Sequence, residues 1–174
     1  GNWGFSETNL NYRGREYDAA VRYHKEMNNT MIRNWVGQIG DEEFYEACDK
    51  YGIMVWQDFW LANPWDGPNP YYEDMFLRNS ADYISRIRNH PSIAIYVGRN
   101  EGFPPTTIDK VLREQIKGLH PQLGYIPSSA DMGVSGHGPY RMMSAEYYFS
   151  HQTHLLHSER GMPNVPNIES IKRM

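Results

Sequence analysis

Bulky and apolar side chains recur along the chain at helical and strand-like spacings in alternation. In residues 16–27 they fall at Tyr17, Ala20, Val21, His24 and Met27, one face of a helix. Residues 31–35 form a run too short for a helix and predict a strand. Asp41 stands where a helix N-cap belongs, ahead of a helix through Tyr51 that Gly52 ends. Residues 53–56 predict the next buried strand. A loop rich in Pro, Gly and Asn (63–70) leads into a helix over 71–88, with Phe76, Ser80, Tyr83, Ile84 and Ile87 on one face. Residues 93–97 are a third apolar run of strand length. Pro104-Pro105-Thr106-Thr107 then opens a helix carrying Ile108, Val111, Leu112, Ile116 and Leu119 at helical spacing.

Alternating strands and helices predict an α/β fold with a parallel sheet and crossover helices. Beyond Tyr125 the rhythm changes. Residues 125–129 and 134–140 both read as strands, with no room for a helix between them. An apolar-to-acid transition follows at Leu155-Leu-His-Ser-Glu159, then a short helical tail.

Composition narrows the function more than it narrows the fold. With 22% charged residues and a net charge of −4, the chain is neither basic enough for nucleic acid nor acidic enough to imply a cationic partner. No apolar run approaches membrane-spanning length. The single cysteine, Cys48, excludes an internal disulfide, and it shares a helical stripe with Phe44, Ala47 and Tyr51, the place of a small buried hydrophobe. Aromatic residues make up 14% of the chain, enough to fill a core and still line a cleft. A pyranose suits such a cleft, because its CH face stacks on a ring while its hydroxyls seek polar edges. A chain that opens Gly-Asn-Trp-Gly, without Met, is expected to be excised from something longer.

The densest chemistry lies in Arg88-Asn-His-Pro-Ser-Ile-Ala-Ile-Tyr-Val-Gly-Arg-Asn-Glu101, where a buried strand delivers Asn100 and Glu101 at its C-terminal end. This segment closely resembles the acid/base motif of glycoside hydrolase family 2, with Tyr96 where the family usually carries Trp. His-Ser-Glu159-Arg-Gly-Met-Pro resembles that family's nucleophile segment, with Arg160 where an aromatic is usual. Arg33-Asn-Trp-Val-Gly37 and Gly52-Ile-Met-Val-Trp-Gln-Asp-Phe59 are similar to the β-mannosidase and exo-β-glucosaminidase branch. The β-galactosidase and β-glucuronidase branches instead carry His-Tyr-Pro after the arginine. The resemblance runs from Asn2-Trp3 to residues 163–166.

The resemblance implies one catalytic domain over residues 1–174, a (β/α)8 TIM barrel. About six strands are counted, where a complete barrel has eight in about 250 residues. The barrel is therefore expected to be incomplete, its first strand represented only by the exit Gly1–Gly4 and its eighth absent. It also implies a retaining exo-β-glycosidase acting on β-mannosides or β-glucosaminides through two carboxyl groups about 5–5.5 Å apart. Glu101 would be the acid/base and Glu159 the nucleophile. Asn100 would bind the sugar 2-hydroxyl, Arg33 would brace Glu159, and Tyr140, in His137-Gly-Pro-Tyr140, would contact the nucleophile. Trp35, Trp56, Asp58 and Trp60 are subsite candidates, with Ser129 and His137 as further pocket residues. Asp58 or Asp131 could pair with a glucosamine ammonium. A β-galactosidase-type enzyme and a non-catalytic sugar-binding barrel fragment are the alternatives.

No cofactor is expected, and no metal: strand alternation separates His151, His154 and His157, and no Cys or acidic pair completes a zinc set. The expected partners are a carbohydrate substrate and flanking β-sandwich domains, with no nucleic acid or membrane. The resemblance implies a periplasmic or secreted protein. An unclosed barrel would leave strand edges exposed, so the isolated chain is expected to self-associate and to turn over poorly.

Overall fold

Short strands rich in β-branched and aromatic residues alternate with amphipathic helices, and the chain folds accordingly. The structure, a computed structural model, describes residues 16–65, 67–150, 156–161 and 168–174. Helix α1 (Glu16–Glu26) precedes β1 (Met31–Asn34), and a single 3-10 turn, Trp35–Gly37, follows that strand. Then come α2 (Glu42–Tyr51), β2 (Met54–Asp58), α3 (Glu73–Ile87), β3 (Ile93–Arg99), α4 (Thr106–Leu119) and β4 (Gly124–Ser128). The four strands form one parallel sheet in the order β1-β2-β3-β4.

Register assigns each side chain to a face. Asn34, Gln57, Tyr96 and Tyr125 are successive partners across the sheet and point one way, as parallel pairing at period two requires. Arg33, Trp56 and Ile95 point the other way, as do Asp58, Val97 and Ile126. The first face meets the helices in a core that includes Val21, Phe44, Cys48, Val55, Ile84, Tyr96 and Leu112. Burial pushes the Cys48 thiol pKa up, so it stays an unreactive hydrophobe. On the opposite face a smaller cluster of Trp56, Val97 and Val134 lies beneath the polar strand ends.

Most expected elements are present with shifted ends. Strand β2 starts one residue later than expected and runs on to Asp58, so Gln57 and Asp58 are strand residues, both fully buried. The helix-face group Phe76, Ser80, Tyr83, Ile84 and Ile87 is buried on α3 as its spacing predicts. Asp41 occupies the N-cap of α2, yet its side chain does not cap: Oδ2 accepts the Tyr17 hydroxyl at 2.7 Å and ties α1 to α2. The strand expected over 134–140 is only β5 (Val134–Ser135), because Gly138 takes φ +85° and Pro139 has no N–H for a ladder. Helix α5 (Ala145–Ser150), which the sequence reading missed, precedes β6 (Leu156–His157). Strand β6 pairs in parallel with β5 as a separate two-stranded sheet, and α6 (Ile168–Ile171) ends the chain. The expected first-strand exit, Gly1–Gly4, lies outside the described residues, as do His151, His154 and Leu155. No helix among the described residues is long and apolar enough to cross a membrane.

The approach to β3 is held by a histidine between two acids. His90 Nδ1 is 2.6 Å from Asp49 Oδ2 and Nε2 is 2.7 Å from Glu42 Oε1. A neutral ring donates through only one nitrogen, whereas the imidazolium satisfies both carboxylates. Burial opposes the charge, but hydrogen bonds and charge from Asp49 and Glu42 outweigh it and raise the pKa above 6.5. A raised folded-state pKa adds stability that is full below the unfolded-state value and lost as pH rises through the folded one. The His90 ring proton should therefore titrate above 6.5 by NMR. His90→Gln should remove a loss of melting temperature seen on raising pH through that value. A resonance titrating below 6.5 would contradict this.

Candidate active site

Parallel strands all end on the same side of a sheet, so residues just past their C-termini converge. Arg33 sits near the end of β1 and Asp58 ends β2. Asn100 and Glu101 follow β3, and Ser129 follows β4. Tyr140 lies on the loop after β5, and Glu159 on the loop after β6. Glu101 adopts φ +48°, a left-handed conformation that costs energy in a non-glycine residue and turns the chain sharply off the strand.

Arg33 is the hub. Its Nε and Nη2 donate to Asp58 Oδ2 at 3.2 and 2.8 Å, Nη2 also donates to Asn100 Oδ1 at 2.6 Å, and Nη1 donates to Glu159 Oε2 at 2.9 Å. Asp58 is fully buried. Its Oδ2 also accepts the Val36 N–H at 3.1 Å, and its Oδ1 accepts Trp56 Nε1 at 2.6 Å. Burial pushes the Asp58 pKa up, and Arg33 with the other donors pulls against it. Asp58 and Trp56, both subsite candidates by sequence, are thus enclosed beneath Arg33, whose guanidinium carbon is 5.8 Å from the Trp56 ring centroid. The 3-10 turn pays for the Val36 bond with φ +43° at a β-branched residue.

The two glutamates share neighbours. The Tyr140 hydroxyl donates to Glu101 Oε1 and lies 3.3 Å from the Gly136 carbonyl oxygen. Burial, the bond to Glu101 and the negative charges of Glu159 and Glu101 all raise the Tyr140 pKa, so it stays a neutral donor. The tyrosine expected to contact the nucleophile thus donates to Glu101, while Glu159 is near enough for its charge to raise the tyrosine pKa. Ser129 joins the glutamate loops: its Oγ accepts the Glu101 N–H at 3.0 Å, and its carbonyl accepts the Ser158 hydroxyl. Gly161 leaves room for the Tyr140 ring, since a Cβ there would lie 2.5 Å from Tyr140 Cδ1.

Two residues at the site went unnoticed in the sequence. Asn63 Nδ2 donates to Glu101 Oε2 at 2.7 Å, and its Oδ1 accepts from Asn100 Nδ2. Ser158, one residue before Glu159, is the other. The signal for Asn63 was its place in Leu-Ala-Asn-Pro, just past a strand end, but the Pro/Gly/Asn-rich composition there reads only as loop. That loop is anchored by Arg99, which is 3% exposed and donates to the Ala62 and Gly67 carbonyls at 2.7 and 2.8 Å and to Asn69 Oδ1 at 2.6 Å.

Other candidates lie apart. His137 Nε2 is 3.7 Å from Asp131, whose other oxygen accepts the Ser128 hydroxyl at 2.7 Å. Trp35 is half-buried in the 3-10 turn, with no hydrogen bond to the glutamates. Trp60 packs on Phe76 and Tyr83, with ring centroids 5.8 and 5.2 Å away. The His157 ring nitrogens face Arg160 Nη2 at 3.0 Å. Among the described residues no cluster of His, Cys, Asp and Glu could hold a metal ion.

No family model matches the chain. It is 40% identical over 130 residues to a mannosylglycoprotein endo-β-mannosidase of Lilium longiflorum, covering 70% of this chain and 14% of that protein. The β-D-mannosidase of Dictyoglomus thermophilum superposes with a TM-score of 0.58 at 33% identity, covering 66% of this chain and 16% of that one. The exo-β-D-glucosaminidase CsxA of Amycolatopsis orientalis superposes over 91% of this chain and 21% of its own, with a TM-score of 0.72. At 18% identity that last likeness concerns the fold alone. The α/β fold and these relatives make the chain similar to part of a glycoside hydrolase. Its likeness to the β-mannosidases agrees with the family 2 resemblance of its sequence and spans 14% and 16% of those relatives' length.

Proposed function

We propose that the full-length protein is a retaining exo-β-glycosidase acting on β-mannosides, with Glu101 as acid/base and Glu159 as nucleophile. The observation that carries this reading is Arg33, which holds Glu159 and Asn100 in one grip beside Glu101. Arg33 orients the Glu159 carboxylate for attack on the anomeric carbon. Glu101 gives its proton to the departing glycosidic oxygen as that bond breaks and the sugar–Glu159 ester forms. Glu101, now a carboxylate, takes a proton from the water that hydrolyses the ester. The four-stranded sheet fits an arc of a (β/α)8 barrel, and flanking domains would complete the protein.

Asp58 is not the partner of a glucosamine ammonium. Asp58 is enclosed and its oxygens are occupied by four donors, which leaves no acidic oxygen there for a ligand ammonium. The lily relative supports a second reading, endo cleavage of a mannosylglycoprotein glycan. Hydrolysis of a panel of p-nitrophenyl β-glycosides and such a glycan by the full-length protein tests both. Turnover of the β-mannoside, with the β-anomer as the first product by NMR, is the expected result. An α-anomer would sink the retaining mechanism, and glycan cleavage without β-mannoside turnover would establish the endo reading. Turnover of the β-galactoside alone would indicate a β-galactosidase, and binding without turnover a sugar-binding domain.

A further inference from the structure

The hydrogen-bond chain from Arg33 through Asn100 and Asn63 to Glu101 has a fixed direction. A guanidinium donates and never accepts, so the atom of Asn100 facing Arg33 at 2.6 Å is the carbonyl oxygen Oδ1. That orientation turns Asn100 Nδ2 toward Asn63, whose Oδ1 accepts from it. Asn63 must then present its own Nδ2 to Glu101 Oε2, at 2.7 Å. Both amide orientations follow from the arginine, and the chain of donors ends on one oxygen of Glu101.

The other oxygen has a different kind of neighbour. The Tyr140 hydroxyl donates to Oε1, but it can also turn its hydrogen to the Gly136 carbonyl 3.3 Å away and accept instead. Oε2 thus faces an N–H that can only donate, which favours its carbonyl form. Oε1 faces a hydroxyl that tolerates either state. We propose that Asn63 is a positioning residue for proton transfer: it keeps the transferable proton of Glu101 on Oε1, beside Tyr140, and thereby fixes which oxygen protonates the leaving group. This inference rests on the reading of Glu101 as the acid/base.

A residue acting through the acid should matter most where protonation matters most. In the full-length protein, Asn63→Ala should lower kcat/KM about 10- to 100-fold on a methyl β-mannoside and less than about 3-fold on the 2,4-dinitrophenyl β-mannoside, whose leaving group needs no proton. The isosteric Asn63→Asp preserves packing but presents a carboxylate to Glu101. It should move the alkaline limb of kcat/KM upward by about one pH unit. Equal losses on both substrates, no loss on either, or an unmoved alkaline limb in Asn63→Asp would each overturn the positioning role. If Asn63→Ala fails to fold, the Asn63→Asp profile decides. A wild-type protein inert toward every β-glycoside would instead remove the proposed reaction, and this role with it, which separates the two failures.

Discussion

Glu159→Ala in the full-length protein should reduce turnover by at least about 10⁴-fold, and added azide should recover part of it as an α-glycosyl azide. The alanine removes the attacking oxygen and opens a space beside Arg33 Nη1, which otherwise donates to Glu159 Oε2 at 2.9 Å. A small anion fits that space because the guanidinium remains to hold it. Glu101→Ala should behave differently. It should spare substrates with activated leaving groups, which depart unprotonated, and slow the ester hydrolysis that needs a base. Azide rescue of Glu101→Ala as an α-azide, or none in Glu159→Ala, would exchange or abolish the assigned roles.

Arg33→Met carries the second large effect, on stability and rate together. It leaves Asp58 buried with only the Trp56 and Val36 N–H donors, and loss of one partner from such a pair costs about 3–5 kcal/mol. It also frees Glu159 and removes the donor that orients Asn100, so a further loss of about 10²–10³ in kcat is expected. Arg33→Lys should recover little, because one ammonium cannot reproduce a planar fork that meets three side chains. Arg33→Met/Asp58→Leu should regain much of the stability, since no charge is left unpaired, but not the rate. Denaturant unfolding and single-turnover kinetics on the same proteins would separate the two effects. A double variant restored in both would show that the pair has no part in turnover.

What the sequence revealed and what it hid have the same physical origin. Burial on a regular element has a period, so the α3 face and the β3 run were legible from spacing alone. The glutamates at the strand ends stood out only through the family resemblance, since Asn-Glu after a buried run means little until Arg-Asn-His-Pro-Ser precedes it at the right spacing. Loop partners have no period. Asn63 meets Glu101 across 38 residues of chain and Ser158 meets Ser129 across 29, so nothing local marks either contact. Asp41 illustrates a quieter limit: position and residue type both suit a cap, yet Tyr17 claims the carboxylate. The segment after Val134 read as a strand, whereas Gly138 and Pro139 bend it away from the ladder.

The grip of Arg99 on the loop after β2 has a consequence for engineering. Three oxygen acceptors, at Ala62, Gly67 and Asn69, are tuned to one guanidinium rooted in the neighbouring strand. Loop and arginine therefore form a single exchangeable cassette split across two stretches of sequence. A graft from a relative that lacks the matching arginine would strand those acceptors and let Asn63 drift from Glu101, while a graft that carries both halves would transplant a new rim onto unchanged strand ends.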